Sequence, residues 1–226
     1  MNTRALIICA GEATRWGNYL DTPKHLIEIE GEKILHRSVR LLKENGIDDI
    51  HVISKDDPRY KVEGANQFIA ELNPKNADAD KLLSSQKLWE KADRILIIYG
   101  DCYYTEEAMK TIVESKEKDW HIFCRPDASA ITGTPWGEIF CYSFYRKDFD
   151  LIKNGLHHVA GLHQKGLLKR CGGWELYRHL LGRPDANLRI HKMGDHYTKI
   201  DDWTDDFDYP KDYDSWIQNR SLQGKA

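Results

Sequence analysis

Three stretches of the chain hold residue types that could manage a phosphorylated ligand. The first is Gly11-Glu12-Ala13-Thr14-Arg15-Trp16-Gly17, which directly follows the apolar run over residues 5–10; Lys24 comes seven residues later in Thr22-Pro23-Lys24-His25-Leu26. A glycine at a strand end lets backbone N–H groups turn toward an anion, and Arg15 and Lys24 could neutralise charge on it. The second is Gly100-Asp101, after the apolar run over 94–99. An aspartate there could ligate a hard cation, or simply cap the next helix. The third is Asp206-Phe207-Asp208-Tyr209-Pro210, late in the chain.

The commoner phosphate motifs do not fit. A P-loop requires GxxxxGK[ST], but Gly11 and Gly17 stand one residue too far apart and Asn18 follows; the dinucleotide fingerprint lacks its second glycine. An EF-hand is excluded because Pro210 falls where a ligand and then glycine are needed. Histidines 157, 158 and 163 form a loose cluster without a zinc-site spacing. Asp201, Asp202, Asp205, Asp212 and Asp214 read as a solvated acidic surface, so Asn in place of Asp205 or Asp212 is expected to be nearly silent.

These residues need a scaffold, and the pattern supplies one. Residues 5–10 and 94–99 are continuously apolar, as in strands buried on both faces of a parallel sheet. Between them lie a helical spacing over 33–44 stopped by Gly46, a short strand over 50–53, and a helix-like stretch over 79–91. This β-α-β alternation predicts an α/β fold with a mostly parallel sheet. Further on, 105–117 and 172–181 look helical, 120–124, 138–145 and 187–192 look like strands, and a last helix starts near Pro210. Ligands of open α/β sheets bind at the carboxyl ends of strands, which is where Gly11 and Asp101 fall.

Length and charge bound the function. At 226 residues, with no linker or repeat, one domain over 1–226 is expected. A net charge of −3 gives no basic field for a nucleic-acid backbone, and no apolar run reaches the ~20 residues a membrane span needs. The N-terminus lacks the pattern of a secretory signal. Five widely spaced cysteines (Cys9, Cys102, Cys124, Cys141, Cys171) fit neither a disulfide framework nor paired zinc ligands, so a cytoplasmic location with free, mostly buried thiols is the expectation.

Taken as a set, Gly11-x-x-x-Arg15, then Pro23-Lys24-x-Leu26, then Gly100-Asp101, then Asp206-x-Asp208-x-Pro210 resembles the nucleotidyltransferase superfamily, whose members join a nucleotide to a phosphorylated small molecule. The resemblance spans nearly the whole chain. It departs from the pattern at Ala13, where the family has a second glycine, and at Tyr209, where it has a hydroxyl residue. The resemblance implies one Rossmann-like domain of the nucleotide-diphospho-sugar transferase type, a mixed, mostly parallel sheet with helices on both faces. Residues 1–119 would be the nucleotide half, 120–200 the acceptor half, and 201–226 a metal-binding aspartate segment with a C-terminal helix. It further implies a nucleoside triphosphate held by the loop of Ala10, Gly11, Glu12, Ala13, Thr14 and Arg15, with Lys24 at the α-phosphate. Ser84 and Ser85 would be further nucleotide contacts, and Mg²⁺ would be the cofactor on Asp101 with Asp208 or Asp206.

A phosphate monoester has its second pKa near ~6, so it needs no general base, which agrees with the lack of a Ser-His-Asp set. By analogy with short family members CTP is the favoured donor, and the acceptor is a sugar phosphate, a phosphocholine-like compound or another phosphate or phosphonate. The many aromatic residues suit core packing, a homodimer interface or a cage for a quaternary ammonium. Two alternatives stay open on the same residues: a glycosyltransferase using a sugar nucleotide, and a non-catalytic nucleotide-binding subunit.

Overall fold

The computed structural model describes residues 1–183 and 193–223. In chain order its strands are β1 (Thr3–Ile8), β2 (Glu28–Ile29), β3 (Glu32–Lys33), β4 (Asp49–Ser54), β5 (Asn66–Ile69), β6 (Arg94–Tyr99), β7 (Cys102–Tyr103), β8 (His121–Arg125), β9 (Glu138–Tyr145), β10 (Tyr197–Lys199) and β11 (Asp205–Asp206). The helices are α1 (Ile34–Glu44), α2 (Ala79–Leu83), α3 (Glu106–Glu114), α4 (Phe149–Gln164), α5 (Gly173–Leu180) and α6 (Pro210–Gln223). Among the described residues the central sheet has seven strands in the order β10-β8-β9-β6-β1-β4-β5. β1 runs parallel to both β4 and β6, and β9 is antiparallel to β6 and β8. This is the α/β, mostly parallel single-domain fold that the apolar runs predict.

Alternation along β1 explains the layers. Ala5 and Ile7 face a cluster that includes Leu35, Val39, Leu42, Met109 and Ile112 from α1 and α3. Leu6 and Ile8 face the opposite cluster, built on Leu82, Ile152, Leu156, Val159 and Leu176 from α2, α4 and α5. Both faces are covered, so the central strands are apolar throughout. A third, smaller cluster of Trp16, Ile27, Ile34, Tyr103, Phe207 and Trp216 ties the first strand-end loop to α6 and to the β7–β11 ribbon. No helix among the described residues is long and apolar enough to cross a membrane.

The helix expected over 79–91 stops at Leu83 and resumes only as a single 3-10 turn, Gln86–Leu88. Ser84 and Ser85 turn their hydroxyls back onto the carbonyls of Lys81 and Leu82, at 3.0 and 2.7 Å, which competes with helix continuation. Strands β5 and β10 and helix α4 are additions to the sequence-based pattern. The strand expected over 187–192 lies outside the described residues.

Candidate active site

β1 and β6 are neighbours in register, Ile8 beside Tyr99, so the loops after them open on one edge of the sheet. Gly100 fits between them because a side chain there would collide with Cys9 Sγ and the Ile8 carbonyl. The first loop is pinned from inside: Trp16 is buried, and its indole N–H donates to the carbonyls of Tyr19 (3.1 Å) and Thr22 (2.8 Å). Ala10 is buried at the start of this loop, whereas Glu12, Thr14 and Arg15 are exposed along it. Ala13 takes φ +50°, the left-handed region where a Cβ costs about 1–2 kcal/mol. That is the position where the family pattern has glycine.

The late segment reaches this edge through the β7–β11 ribbon. Asp206 pairs with Cys102, and the Phe207 N–H donates to the Asp101 carbonyl at 3.0 Å. Asp101 and Asp208, more than a hundred residues apart in sequence, thereby share one cation: Lys24 Nζ lies 2.5 Å from Asp101 Oδ2 and 3.0 Å from Asp208 Oδ1. Arg15 clasps Asp208 with both guanidinium nitrogens, at 2.7 and 2.9 Å, and its guanidinium stands 5.4 Å from the Tyr209 ring centre. Lys24 is buried, yet its two carboxylate partners outweigh burial and hold its pKa well above the usual lysine range. Burial alone would raise Asp101; the Lys24 ammonium overrides it and holds the carboxyl at about 2. His25, buried beside them, is pushed down to about 4 by burial, with Lys24 adding to the shift.

A second group of acids adjoins the first. Glu138, Asp206 and Asp208 each bring a carboxylate oxygen to within 4.8 Å of the others. Asp206 is buried, and its Oδ1 has no hydrogen-bond partner among the described residues. Burial and then mutual repulsion push Glu138 up to about 8 and Asp206 well above the carboxylate range. An all-oxygen donor set with an orphaned buried oxygen fits a hard divalent cation such as Mg²⁺.

Several sequence expectations are corrected here. Ser85 is fully buried, donates to Leu82 and accepts from the Trp89 indole at 3.2 Å, so it is a core residue with no side-chain group left for a nucleotide. Ser84, by contrast, is only half-buried: its hydroxyl donates to the Lys81 carbonyl and keeps its acceptor positions. Asp205 is not solvated: it is wholly buried and accepts from Arg125 (2.7 Å), Ser129 (2.5 Å), Thr132 (3.0 Å) and the Asp206 N–H (3.0 Å). Asp212 is buried as well and accepts the Tyr209 N–H at 2.8 Å, which caps α6. In the loose histidine cluster, His158 stacks on His179 at 4.2 Å and His163 Nδ1 meets the Leu168 carbonyl at 3.0 Å. The five cysteines are buried and free.

Two residues of the cleft escaped the sequence reading. Glu138 is one. The other is Lys81, whose ammonium sits 3.7 Å from where a Gly11 Cβ would stand and 2.8 Å from Asp78. The available signal for Lys81 was its place one turn ahead of Ser84; for Glu138 it was an acid opening an otherwise apolar strand.

The fold and its strand-end cluster define a nucleotidyltransferase. The family model of the MobA-like NTP transferase domain matches residues 5–169, and the chain belongs to that family. A 53-residue stretch, 24% of this chain, is 42% identical to the bifunctional IPC transferase and DIPP synthase of Thermococcus kodakarensis; it spans 12% of that relative. Among solved structures, a protein assigned as a glucose-1-phosphate thymidylyltransferase from Bacillus anthracis superposes with a TM-score of 0.64 at 13% identity, covering 96% of this chain and 95% of the other. The CTP:phosphocholine cytidylyltransferase of Streptococcus pneumoniae does so with a TM-score of 0.58 at 15% identity, covering 97% and 100%. At these identities the structural likeness is one of fold.

Proposed function

We propose that the chain transfers a nucleotidyl group from a nucleoside triphosphate, CTP first among them, to the phosphate of a small phosphorylated acceptor, with Mg²⁺ and release of pyrophosphate. The observation that carries this is the meeting of Arg15, Lys24, Asp101 and Asp208 at the carboxyl ends of β1 and β6. Residues 1–119 would hold the nucleotide, 120–200 the acceptor, and the segment from 201 the late aspartates. The CTP:phosphocholine cytidylyltransferase among the similar structures favours CTP and a phosphorylated acceptor. Five buried free thiols fit a reducing, cytoplasmic compartment.

The chemistry asked of the protein is mostly electrostatic. A dianionic acceptor phosphate must approach the α-phosphorus in line while negative charge crowds around it. Arg15, on the exposed loop, would bind the triphosphate, with Gly11 and the ammonium of Lys81 beside it. Lys24 is held rigidly by two carboxylates at the strand ends, so it would stabilise charge that develops at the α-phosphate without having to reorganise. Asp208, with Asp101 or Asp206, would hold Mg²⁺, which when bound supplies further neutralisation of phosphate charge. No side chain has to act as general base, since the acceptor is ionised already.

The test is thermal stabilisation by each of the four nucleoside triphosphates with Mg²⁺. A ligand at a hundred times its Kd stabilises by about 2.7 kcal/mol, which for a domain of this size raises Tm by roughly 5–10 °C. CTP is expected to give the largest rise. Stabilisation by UDP-sugars and by no triphosphate would replace this reading with that of a glycosyltransferase.

A further inference from the structure

The acids of the cleft fall into two compartments that differ in what neutralises them. In one, Lys24 bridges Asp101 and Asp208, and Arg15 closes on Asp208 from outside. In the other, Glu138 and Asp206 face Asp208 with no such partner. Arg125, the cation that offsets Glu138, donates through its two terminal nitrogens to Asp205 at 2.7 Å and to the carbonyls of Asp127 and Trp136 at 2.6 and 3.2 Å, while its buried Nε has no hydrogen-bond partner among the described residues and so reaches neither acid. Asp206 Oδ1 accepts nothing among the described residues, although the residue is 93% buried by its 7% exposure. A buried carboxylate without a donor is costly, and a fold keeps one where a ligand supplies what is missing.

We infer that Glu138 is a metal ligand, and that Glu138, Asp206 and Asp208 together bind a divalent cation before any nucleotide arrives. A hard cation such as Mg²⁺ ordinarily uses one or two protein carboxylates and waits for substrate phosphates to complete its shell. Three carboxylates within 4.8 Å of one another supply enough charge and oxygen to hold the ion without phosphate. Glu138 is fixed at the entry to β9 by its neighbour: a side chain on Gly137 would overlap the backbone of Arg125 and Pro126, so the two strands close tightly at that end. The cation class is that of small hard dications, Mg²⁺ or Mn²⁺.

The inference shares its site with the proposed nucleotidyltransferase reading, and the experiment separates the two. Metal-stripped protein is titrated with Mn²⁺ alone, and the free ion is followed by its electron paramagnetic resonance signal; each variant is also melted in EDTA to show that it folds. Wild type is expected to take up one Mn²⁺ per chain without nucleotide. Glu138→Gln and Asp206→Asn are expected to weaken uptake by roughly tenfold or more while melting no lower than wild type, because each removes a charge from a crowded acidic site. No Mn²⁺ uptake without nucleotide, or wild-type uptake kept in Glu138→Gln, overturns the inference. Triphosphate stabilisation measured with Mg²⁺ on the same wild-type protein decides the function independently.

Discussion

Asp205→Asn tests whether the late acidic segment is a surface or a clasp. The carboxylate is wholly buried and receives four hydrogen bonds, one from a guanidinium that is itself only 7% exposed. Asparagine keeps the shape and one acceptor oxygen, but turns an NH₂ group toward donors and leaves Arg125 buried without its counter-ion. Breaking one half of a buried pair costs about 3–5 kcal/mol. Some relief opposes this, because Asp205 also repels Asp206 and Glu138; it ranks behind other acids in both, so the relief is the smaller effect. The expected net loss is about 3 kcal/mol, a fall in Tm of roughly 6–12 °C, read by urea unfolding and calorimetry. Turnover should fall as well, since Asp205 opens the strand that carries Asp206 and leads to Asp208. Removing the cation as well, in Arg125→Met with Asp205→Asn, leaves no bare charge and keeps a carboxamide oxygen for the remaining donors, so the double variant should cost less than the two single changes added. A loss under about 1 kcal/mol for Asp205→Asn, or a double variant as unstable as the two singles added, would refute the reasoning.

Three further outcomes are expected. Lys24→Ala should lower kcat by roughly 10²-fold or more with a lesser change in KM, because its charge acts where the α-phosphorus becomes five-coordinate; an unchanged kcat with a raised KM would reassign it to ground-state binding. Ser85→Ala should cost about 1 kcal/mol in unfolding experiments and leave the nucleotide KM unchanged, as befits a hydroxyl shared between Leu82 and Trp89. His25 is held neutral down to about 4 in the folded protein, whereas the unfolded chain takes its proton near 6.5; stability should therefore fall as pH drops through that window, by roughly 3 kcal/mol in total. His25→Phe should flatten that slope in melts between pH 7 and 4, and an unchanged slope would remove His25 as its source.

Where neighbouring residues decide the structure, the sequence could be read directly. The apolar runs that became β1 and β6 need no distant partner to announce themselves, and the glycine, Arg15 and Lys24 that follow β1 form a local motif. Helix α4 was hidden because Phe149–Gln164 contains two glycines and three histidines, poor local helix material; it forms because Ile152, Leu156, Val159 and Ala160 bury against the sheet and its neighbouring helices. The edge strand β5 is four residues with two polar side chains, and β10 is three residues paired with β8, more than seventy positions earlier. Pairing at such distance leaves little local trace. Asp205 looked solvated for the same reason: nothing in a run of aspartates marks which one meets an arginine eighty residues away.

Glu138 was missed through a rule that holds for part of this sheet only. Ligands gather at the carboxyl ends of parallel strands, and that rule picks out the residues after β1 and β6. β9 runs the other way, antiparallel to both β6 and β8, so its amino-terminal residue lies on the same edge as their carboxyl ends. A search for functional acids after strands passes over an acid that opens one. The register makes the point in detail: Glu138 stands opposite Arg125, the last residue of β8, and Ile98 near the end of β6 stands opposite Cys141. In a mixed sheet the residues to inspect are therefore those at one physical edge. Here that edge carries the cations Arg15, Lys24 and Lys81 from the first half of the chain, and Glu138, Asp206 and Asp208 from the second. A phosphate transfer would use the first set against the triphosphate and the second to hold the cation.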